Sequence, residues 1–309
     1  MISIQKLEIK AAELFKKKEY SKVIFEITSE TEEKERSAFL CNLLGMSRIV
    51  NNKKNKDALI LAIKDFKFGY LKEKNTIHAI DGLANFITTS VFLIDLEQNH
   101  EFDFTEIFSF YKSSDKFCAN HRPINLAMAM VYRRLNHAKK LIFHFKRVIE
   151  SKKFNAIDLC NYGYWQCFDK EWGQSDFFNY GKFLDQNLKV IPKNQLIEIS
   201  KEAGLKIRIG FLSSDILLGH SITYFLKTVL SHYDKNKFEI VLILSNPKED
   251  HSTANFKNLV DETINISKLN NVDAVNKVRE LKLDFVVDLM GYTSTQRIEL
   301  FKNRMAKNQ

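Results

Sequence analysis

Residues 206–215 read KIRIGFLSSD. Ile207 and Ile209 alternate with basic residues, an apolar run follows, and the stretch ends in Ser213-Ser214-Asp215. A short β-prone run closed by small polar residues predicts a strand followed by a turn. Working outward, residues 221–231 (SITYFLKTVLS) set Ile222, Phe225, Leu226, Val229 and Leu230 at helical spacing, which predicts a helix with those five on its buried face. Residues 238–244 (FEIVLIL) predict a buried strand, and SNPKEDHS a polar loop leading to a helix near 253–261. A short strand at 263–267, a helix at 271–281, a second buried strand at 284–289 (DFVVDL) and a helix at 295–304 complete the pattern. Strands alternating with helices imply right-handed crossovers and a parallel sheet covered on both faces. The expected architecture is an α/β, Rossmann-like lobe over residues 201–309.

Upstream, residues 1–200 read as helix after helix, with little glycine or proline. Leu7, Ala11 and Leu14 share one helical face; Tyr20, Val23 and Ile27 share the next, with Lys16–Glu19 as the turn. This pattern resembles a tetratricopeptide unit, a helix pair of about 34 residues. A second unit opens at Leu44-Gly45 and continues through Ala58, Ala62 and Phe66, the small residues letting paired helices approach. Beyond Asn75 the repeat is poorly matched, and an irregular helical array is the alternative. Residues 127–134 and 138–149 are apolar helices with a basic cluster, Arg133, Arg134, Lys139 and Lys140, which reads as a solvated face.

The composition narrows the function classes. The 47 basic residues outnumber the 38 acidic ones for a net charge of +9, but the lysines are dispersed, as in NNKKN at 51–55. Nucleic-acid surfaces cluster their charge and interleave it with exposed aromatics, so no nucleic-acid partner is expected. The N-terminus MISIQKLEIK has no continuous apolar stretch, and runs such as Ala58–Ile63 are too short to cross a bilayer. No membrane partner and a cytoplasmic location are the simplest expectations. Cys41, Cys118, Cys160 and Cys167 have neither metal nor redox spacing and read as small hydrophobes. His121, His137 and His144 have no metal-ligand partners at helical spacing, so no metal site is assigned.

In open parallel sheets, ligands bind beyond the carboxyl ends of the strands. Two polar loops fall there, Ser213–His220 and Asp288–Thr293. The first leads into a helix at about Ser221, whose unpaired N–H groups suit a phosphate or a developing oxyanion. His220 beside that terminus can give or take a proton near neutral pH. Asp215 can accept hydrogen bonds from an acceptor hydroxyl, a water or His220, or can simply cap the turn.

The chain from KIRIGFLSSD through GHSITYFLKTVL, DKNKFEIVLILSNPKED and LDFVVDLMGYTSTQRIELF resembles the first half of the catalytic region of O-linked N-acetylglucosamine transferases and their bacterial relatives. That family shows a strand ending in Ser-x-Asp, a histidine a few residues on, and an Asp/Asn-x-x-Gly-His/Tyr-Thr turn followed by Arg and Leu-Phe. Here these are Ser213 to Asp215, His220, Asp288 to Thr293, Arg297 and Leu300-Phe301. Residues 162–187 resemble the helical lead-in of bacterial members. The departures are an extra residue between Asp215 and His220, the ending RMAKNQ in place of Arg-Pro-Ala-Pro, and no clear counterpart of a further active-site histidine.

The resemblance implies half of a two-lobed GT-B fold that inverts the sugar configuration without a metal or other cofactor. It implies UDP-N-acetylglucosamine as donor substrate and a protein or peptide acceptor engaged through the helical repeats. Asp215 and His220 carry over as catalytic residues, and Ser214, Gly291, Tyr292 and Thr293 as substrate-binding ones. The second lobe, with most of the nucleotide-sugar pocket and an essential lysine, falls outside these residues. A complementing C-terminal lobe is therefore an expected partner, and the 309-residue chain alone is expected to transfer little sugar. The competing reading is a non-catalytic helical-repeat adaptor carrying a degenerate or truncated lobe. A third, an unrelated Rossmann-like small-molecule module, calls for a GxGxxG turn after the first strand, which is absent.

Overall fold

The computed structural model describes residues 3–52, 55–98, 103–190, 206–293 and 297–309. They form two compact units, Met1–Asp158 and Leu159–Gln309. The boundary read near residue 200 lies within 191–205, outside the described residues; the observed division falls upstream of the helical lead-in.

Unit 1 is helical: α1 (Ile4–Lys16), α2 (Tyr20–Glu30), α3 (Ala38–Asn51), α4 (Lys56–Lys72), α5 (Ile77–Glu97), α6 (Thr105–Ser113), α7 (Asp115–Cys118), α8 (Arg122–Arg134), α9 (Ala138–Glu150) and the start of α10 (Ala156–Gln166). The starts are chemically fixed. Ser37, Asn55 and Thr76 cap α3, α4 and α5 by accepting the N–H groups of Leu40, Ala58 and Ala79. Leu7, Ala11, Val23 and Ile27 are fully buried between the first helices, as their spacing predicts. Gly45 is small for a reason: a Cβ there would lie 2.5 Å from the Phe66 ring. Phe66, Ile80, Leu83, Ile87, Ile124 and Met128 form the main core. Helix α5 is long and apolar enough to span a bilayer by composition, yet 61% of that stretch is buried within the protein, which is the pattern of a core helix.

Unit 2 holds a four-stranded parallel sheet of order β3-β2-β1-β4: β1 (Ile207–Ser213), β2 (Phe238–Leu244), β3 (Glu262–Asn265) and β4 (Phe285–Asp288). The rest of α10 and α11 (Gln174–Asn187) belong to this unit, with α12 (Ser221–His232), α13 (His251–Lys257), α14 (Asn271–Glu280) and α15 (Glu299–Lys302). Alternation along β2 divides the core. Ile240, Leu242 and Leu244 pack with Leu226, Leu230 and Phe256. Val241 and Ile243 pack with Val275, Val278, Val286 and Leu300. The fold is thus a helical array followed in the chain by an α/β Rossmann-like lobe.

Four expectations are corrected. β4 is not buried on both faces: Phe285 is 42% exposed, because β4 is the edge strand and α12 and α13 stand over β1 and β2 instead. On α12, Leu226 and Leu230 are buried, but Phe225 and Val229 are exposed for the same reason. Cys167 is exposed, unlike the other three cysteines. The helix expected at 295–304 is the short α15, and residues 294–296 lie outside the described residues.

Candidate functional site

The two polar loops sit at the carboxyl ends of the adjacent strands β1 and β4 and are joined by a hydrogen bond in which the Ser214 N–H donates to the Met290 sulfur at 3.2 Å. Ser213 and Ser214 are buried, and Asp215 is nearly so. Ser214 Oγ donates to Asp215 Oδ1 at 2.8 Å, and the Asp215 N–H donates to Ser213 Oγ at 3.0 Å. Asp215 Oδ2 lies 3.9 Å from His220 Nε2, an ion-pair distance with room to tighten. The histidine side chain is 45% exposed.

Between them, Leu217 N–H donates to Asp215 O and His220 N–H to Leu217 O, with Gly219 at φ 79. The left-handed glycine lets the chain turn back tightly just before His220. His220 occupies the N-cap of α12, and its carbonyl accepts both the N–H and the hydroxyl of Thr223, leaving the imidazole uninvolved in capping. The loop is also held from β2 and α13. Asp250 Oδ2 accepts the Leu218 N–H at 2.8 Å, Thr253 Oγ1 donates to Ile216 O, and Asn246 donates to Ser214 O. The bonds from Leu218 and Thr253 hold the Asp250 carboxyl below its ordinary value. Sequence reasoning missed these supports; the Asp250-x-x-Thr253 spacing that opens α13 was their one local signal.

In the second loop, Asp288 accepts the N–H groups of Met290 and Gly291 and so closes the turn. Burial raises the Asp288 carboxyl above its ordinary value; those two bonds oppose the shift, and the negative charge of Asp215 adds to it. Gly291 is exposed at φ 55. Tyr292 turns its ring onto Tyr180, at 6.1 Å between centroids, and onto the bare backbone of Gly163. That ring packs against the helical lead-in. Thr293 Oγ1 is buried without a hydrogen-bond partner among the described residues. Arg297, part of the family motif, is structural: its guanidinium binds Ile266 O, Leu269 O and Asn271 Oδ1. The geometry therefore brings Ser214, Asp215 and His220 together, ties them to the Asp288–Thr293 turn, and gives Tyr292 a packing partner.

Unit 1 carries a separate cavity of about 400 Å³ lined by Phe15, Phe39, Leu43 and Met46 with the amide pair Asn42–Asn85, in which Asn85 donates to Asn42 at 2.7 Å. Its walls come from α1, α3, α5 and α8.

No protein-family model matches the chain. In sequence it is similar to the probable UDP-N-acetylglucosamine–peptide N-acetylglucosaminyltransferase SPINDLY of Arabidopsis thaliana, 29% identical over 113 residues, 35% of this chain and 12% of that one. It is also similar to the SPINDLY protein of Oryza sativa subsp. japonica, 28% identical over 144 residues, 45% of this chain and 14% of that one. In structure it matches a lysine-to-methionine mutant of the Thermobaculum terrenum O-GlcNAc transferase with a TM-score of 0.57 and 13% identity, over 87% of this chain and 49% of that one. The chain thus spans about half of the solved relative and a small part of each plant one. In sequence and in fold, this protein resembles the O-linked N-acetylglucosamine transferases.

Proposed function

We propose that the chain is the repeat-bearing, acceptor-side part of a protein O-linked N-acetylglucosamine transferase, and that Asp215 and His220 serve the transfer. The observation that carries this reading is the Asp215–His220 pair at 3.9 Å on the strand ends, within loops that match the family motif. In the proposed reaction the serine or threonine oxygen of the acceptor attacks the anomeric carbon of UDP-N-acetylglucosamine. The carbon–phosphate-oxygen bond breaks, UDP leaves, and the configuration inverts in this single displacement. His220 takes the hydroxyl proton and Asp215 orients the imidazole; general-base help of this kind contributes roughly 10²–10⁴-fold. Ser214, Gly291 and Thr293 line the approach to this pair. Tyr292 contributes by holding the loop.

Transfer also needs the diphosphate fixed and its charge neutralised, a task that the proposal leaves to a complementing lobe. Incubating the purified chain with radiolabelled UDP-N-acetylglucosamine and serine/threonine peptides should therefore give little or no labelled peptide. Adding a complementing lobe should restore labelling, and His220→Ala should abolish it without altering the fold. Undiminished labelling by that variant would remove His220 from the mechanism.

The adaptor reading is favoured by one observation, the cavity on α1, α3, α5 and α8, which suits partner binding whether or not sugar is transferred. Unchanged partner binding by a chain that never supports transfer, with any complementing lobe, would favour it.

A further inference from the structure

The turn between Asp215 and His220 is anchored from outside. Asp215 is held by its own neighbours, Ser213 and Ser214. His220 opens α12 without using its ring to cap it. The link between the two ends in Gly219 at φ 79, and glycine restricts the backbone least of all residues. Inside the turn, the Leu217 N–H donates to Asp215 O at 2.8 Å and the Leu217 carbonyl accepts the His220 N–H at 3.2 Å. The residues on either side of Leu217 are gripped by the start of α13. The Ile216 carbonyl accepts from Thr253 Oγ1 at 2.7 Å, and the Leu218 N–H donates to Asp250 Oδ2 at 2.8 Å.

Asp250 divides its two oxygens between two elements. Oδ1 accepts the Thr253 N–H at 3.0 Å and the Thr253 hydroxyl at 3.2 Å, and so caps α13. Oδ2 reaches away from that helix to Leu218, 32 residues back along the chain. Capping alone needs one acceptor oxygen, which serine or asparagine supplies as well as aspartate does. The bond to Leu218 needs the second oxygen. A carboxylate accepts on both sides, whereas an amide presents an NH2 donor on one of them.

We propose that Asp250 is a positioning residue for the Asp215–His220 pair. By tying the Leu218 N–H to the capped end of α13, its carboxylate holds the turn closed and keeps the His220 imidazole within reach of Asp215. A charged acceptor makes this bond stronger than a neutral one would. Without it the Gly219 side of the turn is free to open, and the 3.9 Å separation of the pair widens. The proposal rests on the assignment of Asp215 and His220 to the transfer step, and adds to that pair a residue from the β2–α13 loop that acts only through the turn.

The test uses the whole nitrogen-15-labelled chain, without sugar nucleotide or complementing lobe, and NMR. Asp250→Asn keeps an oxygen to cap α13 and turns a donor toward Leu218; Asp250→Ser caps equally well but is too short to reach Leu218. In both variants hydrogen exchange at the Leu218 and His220 amides should quicken on the order of ten-fold, about the factor that a hydrogen bond to a charged group carries, while the Thr253 amide keeps its protection. The His220 ring separates positioning from simple support. Its nitrogen signals should respond to Asp215→Asn when Asp250 is intact, and that response should shrink about three-fold or more when either Asp250 variant is present, as coupled residues require. A full response to Asp215→Asn in both Asp250 variants, or unchanged exchange at Leu218, would overturn the proposal and leave the transfer reading standing. Exchange quickened equally at Thr253 and Leu218 in both variants would make Asp250 a helix cap and no more. No response of the His220 ring to Asp215→Asn beside an intact Asp250 would strike at the pair itself, and so at both readings.

Discussion

Ser214 and Met290 lie on different loops, yet the Ser214 N–H donates to the Met290 sulfur at 3.2 Å, with Met290 only 4% exposed. This bond fastens the turn that carries Asp215 to the turn that carries Gly291 and Thr293. A thioether is a weak acceptor, but removing it strands a buried donor. Met290→Leu keeps the volume and loses the acceptor. The expected cost is about 1 kcal/mol, near the lower end for an unsatisfied buried group, read by urea unfolding. Faster hydrogen exchange at the Ser214 amide should accompany it, and unchanged exchange there would show that the loops are held by packing alone.

Asp288 gives a pH signature. Its carboxyl is raised by burial, with the Asp215 charge adding, so the folded state holds this proton more tightly than the unfolded chain does. Stability from this group is present below the ordinary carboxylate range and is lost as pH rises through the raised folded value. Asp288→Asn should remove that part of the slope in thermal unfolding measured across the acid range. Asp215→Asn should lower the Asp288 pKa, followed by the carbon shift of its carboxyl; an unmoved titration would mean that the two carboxylates do not sense each other.

Gly45 tests the helix pairing of unit 1. A Cβ there would sit 2.5 Å from the Phe66 ring, a fully buried side chain of the main core. Gly45→Val should destabilise by about 1–3 kcal/mol through overpacking. Gly45→Val combined with Phe66→Leu should recover part of the loss, since the two residues are in contact and their effects couple. A neutral Gly45→Val by urea unfolding would mean that α3 and α4 can part at little cost.

Much of this structure was readable from local pattern. Alternation in KIRIGFLSSD gave β1 and its turn, and the Leu7–Ala11 and Val23–Ile27 spacings gave the first helix pair. What could not be read depends on who stands opposite. Helical spacing puts Phe225 and Val229 next to Leu226, but only the packing shows that α12 turns Leu226 and Leu230, and not Phe225 and Val229, onto β1 and β2. The Asp288 turn was visible as a loop, whereas its bond through Met290 to Ser214 spans 76 residues and leaves no local trace. The bond from Arg297 to Ile266 O and the packing of Tyr292 on Tyr180 likewise appear only when those distant partners are placed beside them.

The most direct measurement of the central claim is a titration of the isotopically labelled chain, joined by an unlabelled complementing lobe, with UDP-N-acetylglucosamine and a serine-containing peptide at millimolar concentration, followed by amide NMR. The account predicts shifts concentrated on Ser214 to Thr223 and on Asp288 to Thr293, with the His220 ring signals moving together with them, and a much smaller response in Asp215→Asn. Shifts confined to other regions, or none at all in either loop, would contradict the assignment of this strand edge as the site of sugar transfer.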